Sequence, residues 1–214
     1  MIEDTQNTAA AQGGITRRDR ANETRLKIVG AATRCIEHYG YSGTSVSRIT
    51  ELAGVSRGAY LHHFRAKHLV FRAVALQLVA DVVDHLNQIQ MEEIRTKQDL
   101  RDVLYVLWED VVLGPVGRVF TELMLAARTD SILATHMRRP ARRAIRVLGW
   151  VAARKMPRNP KTDLAAKDIV RLAQWVLRGM SLDQPLSTDP NFFHRQIDLL
   201  VEMVVPHLPA EDGI

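Results

Sequence analysis

Residues 40–67 read GYSGTSVSRITELAGVSRGAYLHHFRAK and contain two short amphipathic segments separated by a tight turn. The first segment, 45–53, carries apolar residues at helical spacing after a hydroxyl residue that can cap a helix. Gly54 ends this segment, and a second one over 56–62 follows almost at once. The spacing predicts two short helices joined by a turn, which is the arrangement of a helix-turn-helix.

The sequence on both sides of this stretch is also predicted to be helical. Upstream, apolar residues recur at spacings of three and four over 22–39, and Gly40 provides a stop. Downstream, an apolar stripe extends from about residue 67 to Ile89, and Pro140 is expected to kink or divide a later helix. The later periodic segments are 99–113, 118–127, 131–156, 164–180 and 192–205. No strand pair is indicated, so the predicted fold class is all-α.

The net charge of +5 is concentrated near the N-terminus. Between Arg17 and Lys67, ten Lys or Arg residues stand against four Asp or Glu residues, whereas the rest of the chain is nearly balanced. Phosphate neutralisation supplies most of the sequence-independent affinity of proteins for DNA, so double-stranded DNA is an expected partner of this segment. A basic surface that only aids solubility is the alternative interpretation.

Composition excludes several classes of protein. No stretch of about 18 apolar residues occurs, so no membrane-spanning segment is expected. Residues 1–16 are polar, lack the apolar run of a secretory signal, and are predicted to form a disordered tail. The single cysteine, Cys35, cannot form an intramolecular disulfide and is predicted to be buried. We therefore expect a cytoplasmic protein.

A set of residues at fixed spacing resembles a known signature. The matching positions are Gly40 to Val46, Ile49, Ala53 to Ser56, Gly58, His63, Phe64 and Lys67. Over roughly residues 20–82 the chain thereby resembles the tetracycline-repressor-like (TetR) transcriptional regulators. The resemblance implies a three-helix DNA-binding domain with a helix-turn-helix over 17–68, with a linking helix from about residue 67, and a larger helical domain over 69–214 for effector binding and dimerisation.

The candidate DNA contacts lie on and around the two short helices. Hydroxyl groups at a helix start can offer hydrogen bonds to a phosphate, and an arginine fork matches the O6 and N7 atoms of guanine. The resemblance implies that residues 57–59 face the bases and that residues 61–63 and Lys67 lie near phosphates. The candidates are Thr44, Ser45, Ser56, Arg57, Gly58, Ala59, Tyr60, His62, His63 and Lys67.

Tyr60 departs from the pattern of the family. TetR-like sequences commonly place Leu before Tyr ahead of the His-Phe pair, whereas here Tyr60 precedes Leu61. A phenolic contact with phosphate at position 61 is therefore absent. Tyr60 has two interpretations, a DNA contact or a core aromatic residue.

The second half offers candidates for a ligand cavity and for a dimer interface. Aromatic and sulfur-containing side chains suit an apolar cavity for a small-molecule effector, although core packing explains each of them equally well. These candidates are Trp108, Phe120, Met124, Trp150 and Trp175. The surplus of apolar residues in the last two helices, together with the resemblance, implies a homodimer. The dimer candidates are Leu172, Val176, Ile197, Leu200 and Val204.

The predicted function is a sequence-specific transcriptional regulator, a repressor that a small molecule releases from a palindromic operator. An architectural DNA-binding protein without an effector is one alternative, and a small helical enzyme is another, although no catalytic spacing or phosphate loop occurs. No metal or cofactor is expected, because His62, His63 and His68 lack further ligands at suitable spacing. The basic stretch Arg138 to Arg146 is either a solvated helix face or an anion site.

Overall fold

The computed structural model describes residues 16–88, 93–156, 159–160 and 162–208. The helices within these ranges are α1 (Arg17–Gly43), α2 (Val46–Ala53), α3 (Arg57–His63), α4 (Lys67–Gln88), α5 (Lys97–Val106), α6 (Pro115–Ala126), α7 (Ser131–Lys155), α8 (Ala166–Asp183) and α9 (Phe192–Val204). No strand occurs in these ranges, which confirms the all-α prediction. The predicted tail lies outside the described residues, except for Thr16, which caps α1.

Glycines and serines set the ends of the first three helices. Gly40 interrupts α1 with a φ of 66°, and Gly54 ends α2 with a φ of 63°, so both glycines adopt the left-handed conformation that other residues disfavour. Ser45 and Ser56 cap α2 and α3 by accepting hydrogen bonds from backbone N–H groups. The predicted helix-turn-helix is confirmed at each of these points.

The first hydrophobic core joins α1–α4 to α6 and the start of α7. Its fully buried members include Ile36, Ile49 and Phe71, and the predicted burial of Cys35 is confirmed. Leu123 of α6 completes the same cluster. Because this core is continuous from the short helices into the second half of the chain, movement of α6 is mechanically connected to the helix-turn-helix. The division into domains at residue 68 remains a prediction.

A second core is formed by α5, α7, α8 and α9. Its buried members include Leu104, Trp108, Leu177 and Ile197. A π-helical turn, Leu107–Val112, continues α5 and places Trp108 in this core. Short 3₁₀ turns follow α8 over Gln184–Leu186 and α9 over Val205–His207. In the parts of the chain that the structure describes, no helix has the length and apolar character to cross a membrane.

Pro140 does not divide α7, so of the two expected effects of this proline, a kink or a division, the division is wrong. The helix runs from Ser131 to Lys155 with Pro140 inside it and buried. Proline removes one backbone hydrogen bond from a helix. Packing of α7 against α4 and α8 holds it together despite that loss.

Candidate nucleic-acid interface

The exposed start of α3 is the centre of the candidate interface. Ser56 accepts a hydrogen bond from the Ala59 N–H at 3.1 Å, and Ser45 accepts one from the Arg48 N–H at 3.2 Å. Arg57 and Gly58 are exposed, and within the described residues no hydrogen bond or ion pair engages the Arg57 guanidinium. The fold therefore presents a free arginine on the first turn of a capped helix, with no bulky side chain at position 58.

The side chain of Tyr60 belongs to the core, so its prediction as a DNA contact is wrong. It has no solvent exposure, and its ring lies 6.1 Å from that of Phe64, centroid to centroid. Burial raises the pKa of its phenol. The hydroxyl oxygen has no hydrogen-bond partner in the described part of the chain. Of the two interpretations of Tyr60, the core aromatic is the one that holds.

Replacing Tyr60 with phenylalanine tests this placement. A buried hydroxyl without a partner costs free energy, so Tyr60→Phe should raise the free energy of unfolding by about 1 kcal/mol and leave DNA affinity unchanged. Urea unfolding measures the first quantity, and fluorescence anisotropy with labelled DNA measures the second. A loss of DNA affinity in a stable Tyr60→Phe protein would restore the phosphate-contact interpretation.

Thr44 is also an internal residue rather than a phosphate ligand. Its side chain is buried, and its Oγ1 donates a hydrogen bond to the Gly40 carbonyl oxygen at 2.7 Å. The hydroxyl is thus used to close the turn that ends α1. Ser45, the exposed cap of α2, is the residue of this pair that remains available to a phosphate.

Lys67 is directed towards the protein, which corrects its prediction as a displayed phosphate contact. Its Nζ lies 4.9 Å from the ring centroid of Tyr41 and 5.2 Å from that of Phe71. The same atom donates a hydrogen bond to the Tyr41 carbonyl oxygen at 3.4 Å. Burial lowers the pKa of its ammonium group. Lys67 therefore stabilises the start of α4 on two aromatic faces.

Two arginines near α3, Arg25 and Arg65, are not among the DNA contacts predicted from the sequence. The Arg25 guanidinium stacks 5.5 Å from the Phe64 ring centroid, beside His63, whose pKa is lowered by burial and by the neighbouring positive groups. Arg65 follows α3 directly and is exposed, as is His62. The fold brings these groups together from different helices, and no local motif marks their positions.

An apolar cavity of about 160 Å³ lies between α4, α5, α6, α7 and α8. Aliphatic side chains dominate its lining, and Phe120 contributes an aromatic ring. The polar side chains among the lining residues are Thr121, Gln174 and Arg178. An apolar cavity with a few polar groups is typical of a site for a small organic molecule.

Four of the five predicted cavity residues lie elsewhere, and only Phe120 lines the cavity. Trp108 is buried against Phe193, with ring centroids 5.4 Å apart. Trp150 and Trp175 are 55% and 57% exposed, and Met124 packs on the first core. The sequence could not show this, because apolar residues on a buried stripe and on an exposed face look alike until the packing of the helices is known.

The predicted dimer residues separate into two groups. Ile197 is fully buried in the second core, Leu200 packs against that core, and Val204 lines the cavity, so these three point inwards. Leu172 and Val176 are exposed. The exposed large apolar residues of this region, which we call the α8–α9 face, are Leu172, Trp175, Val176, Leu182, Leu186, Phe192, Leu199 and Met203.

Tyr41 connects the helix-turn-helix to the helices around the cavity. Its backbone N–H donates a hydrogen bond to Oε1 of Glu122 on α6 at 2.7 Å. Its phenol donates one to Oδ2 of Asp130, the cap of α7, at 2.5 Å. Burial and this bond raise the pKa of Tyr41 to about 12. An ion pair between Arg118 and Glu37, at 2.7 Å, adds a second link between α6 and α1.

Comparison with known proteins supports the assignment of the first helices. The family model of bacterial regulatory proteins, tetR family, matches residues 28–74. The transcriptional repressor AcnR of Corynebacterium glutamicum is 32% identical over 114 residues, which are 53% of this chain and 56% of AcnR. The chain thus matches only a little over half the length of that relative.

Solved structures extend the similarity of fold to most of the chain. A transcriptional regulator from Rhodococcus sp. Rha1 superposes with a TM-score of 0.69 at 19% identity, over 87% of this chain and 98% of that one. The multidrug binding protein EbrR, complexed with ethidium, gives a TM-score of 0.65 at 20% identity, over 86% and 99% respectively. The helix-turn-helix and the family match agree over residues 28–74, which match the tetR family of bacterial regulatory proteins, and the fold of most of the chain is similar to that of solved transcriptional regulators.

Proposed function

We propose that this chain is a cytoplasmic, sequence-specific DNA-binding repressor that a small molecule releases from its operator. The observation that carries the proposal is the exposed, capped N-terminus of α3 with an unengaged Arg57, set in the most basic segment of the chain. The similarity to AcnR, a transcriptional repressor, supports the direction of control. The cavity favours an effector-responsive regulator over an architectural DNA-binding protein.

In this proposal α3 lies in the major groove. Arg57 reads guanine, and the absence of a side chain at Gly58 lets the helix approach the base edges. Ser45, Arg65 and His62 contact phosphates from the ends of α2 and α3, because their side chains are exposed around that surface. These contacts divide into one that specifies the base and several that position the protein on the backbone.

The α8–α9 face pairs with its copy in a second subunit. Single exposed apolar residues are ordinary, but large ones clustered on two neighbouring helices indicate a surface that a partner covers. A two-fold dimer presents two α3 helices, so the operator is an inverted repeat with half-sites about one helical turn apart, near 34–36 Å.

The effector acts through α6 in this proposal. Phe120 and Thr121 line the cavity, and the next residue, Glu122, accepts the hydrogen bond from the Tyr41 backbone. A ligand that moves α6 therefore moves the turn at the end of α1 and changes the spacing of the two α3 helices. A coupling free energy of about 1–3 kcal/mol between the two sites is typical of such a linkage.

The salt dependence of DNA binding tests the assignment of phosphate contacts. Arg65→Ala should make the slope of log affinity against log salt shallower by about one unit, because one phosphate contact is removed. Lys67→Ala should leave the slope unchanged, since its ammonium group lies on Tyr41 and Phe71. Lys97→Ala, on the distant α5, is the control. If Lys67→Ala alone changed the slope, the inward placement of Lys67 would be wrong for the DNA-bound state.

A further inference from the structure

Among the described residues, the cavity has one charged group in its lining, the guanidinium of Arg178 on α8. Its Cζ lies 5.6 Å from the ring centroid of Phe120, on the opposite wall. Gln174, one helical turn earlier on α8, and Thr121, beside Phe120 on α6, add neutral polar groups to the lining. The rest of the lining is predominantly aliphatic, so the polar groups provide an anchoring point in an otherwise apolar cavity.

No carboxylate of the described chain neutralises Arg178. The other arginines near the second core, such as Arg101 and Arg171, pair with Asp198 and Asp168, whereas the Arg178 guanidinium has no hydrogen bond or ion pair within the described ranges. Burial lowers its pKa, and no acidic group opposes that effect. An arginine stays protonated in proteins, so this site holds an uncompensated positive charge against apolar walls.

We propose that the cavity binds an apolar monocarboxylate, with the carboxylate paired to Arg178 and the hydrocarbon part against the aliphatic walls. The planar guanidinium matches a carboxylate with two parallel hydrogen bonds. Gln174 and Thr121 have side chains that can donate to the same anion. That this acid is the effector of the regulator rests on the proposed function. The binding site itself rests only on the cavity and on Arg178.

The chemistry of the lining argues against other ligand classes. A cation would be repelled by Arg178, and a neutral hydrocarbon would leave its charge unpaired. A phosphate ester carries more charge than one arginine offsets and would expose several anionic oxygens to aliphatic walls. A cavity of about 150 Å³ accommodates a benzene ring, so the present one, of about 160 Å³, suits the ring of an aromatic acid or an alkyl chain of similar volume.

Calorimetric titration with two matched pairs of probes tests the proposal: octanoate against octanamide, and 4-ethylbenzoate against 4-ethylbenzamide. At least one acid should bind the wild-type protein about tenfold or more tightly than its amide. Arg178→Met should weaken binding of that acid by about 10- to 100-fold, as expected for the loss of a charge-assisted pair, and leave the amide unaffected. Arg178→Lys should keep part of the preference.

Arg146→Met, which removes an exposed arginine on α7, is the control and should bind like the wild type. Equal binding of acids and amides, absence of acid binding, or an acid preference that survives in Arg178→Met would each overturn the proposal. Unchanged thermal unfolding of Arg178→Met shows that its site is intact. The titrations contain no DNA, so the two proposals can fail separately. Failure of DNA binding would refute the proposed repressor function and leave the acid site standing. Failure of acid binding would refute the acid site and leave the DNA-binding function standing.

Discussion

Aspartate at both Leu172 and Leu199 is expected to convert the proposed dimer into a monomer and to weaken binding of a full operator by roughly 100-fold or more. The two residues are 52% and 56% exposed on α8 and α9, so a charge at each does not disturb the core of the subunit. In a dimer the same charges would be buried against their copies, at a large desolvation cost. Loss of the second half-site contact accounts for the fall in affinity.

Sedimentation equilibrium measures this change, and Ile132→Asp provides the matched control. Ile132 is a similarly exposed apolar residue at the start of α7, outside the α8–α9 face, and its replacement should leave the assembly unchanged. Replacement of Ile197 or Val204 would not be a fair test, because both point inwards and their loss would unfold the subunit. A monomeric wild-type protein at micromolar concentration would contradict the dimer.

Arg57→Ala should lower the affinity for the specific operator by about 1–3 kcal/mol for each lost bidentate guanine contact, roughly a 5- to 150-fold change. The expectation follows from the free guanidinium on the first turn of α3. Preference at the contacted base pair should relax at the same time, while binding to unrelated DNA changes little. Fluorescence anisotropy with the operator and with single-base variants measures both effects.

Arg57→Lys is the sharper comparison for this residue. Lysine keeps the charge but lacks the planar fork, so this variant should keep the salt dependence of the wild type and lose most of the base preference. Retention of full base preference in Arg57→Ala would show that another residue reads the operator. Loss of affinity for all sequences equally would reassign Arg57 to a phosphate.

The helix-turn-helix could be predicted from sequence because its signals are local. Gly40 and Gly54 have the positive φ angles that glycine tolerates best, and each lies at a turn. Ser45 and Ser56 cap the helices that follow them. Each of these residues acts within three or four positions of itself. Such local signals mark the ends of short helices in the sequence, whereas the stability of α2 and α3 comes from packing in the first core.

The errors arose where tertiary packing decides the direction of a side chain. Tyr60 and Lys67 lie in the sequence among the predicted DNA contacts. In the structure Tyr60 is buried in the core, and Lys67 lies on the rings of Tyr41 and Phe71. Trp150 resembles a cavity residue in composition but is exposed. Arg178, the charged group of the cavity, has no sequence signal, since its importance depends on Phe120, 58 positions away, and on the lack of a carboxylate partner among the described residues.

The basic stretch of α7 is a solvent-facing part of that helix. Its arginines at 138, 139, 142, 143 and 146 are all exposed, which agrees with a solvated face. No feature of the described residues adds an anion site there.

Selection of bound sequences from a random double-stranded DNA library tests the central claim most directly, because it assumes no operator. The wild-type protein should enrich an inverted repeat with a guanine in each half-site and half-sites about one helical turn apart. Arg57→Ala, selected in parallel, should lose enrichment at that guanine and keep the spacing. Failure of the folded wild-type protein to enrich any sequence would contradict the assignment of α3 as the reading helix of a transcriptional regulator.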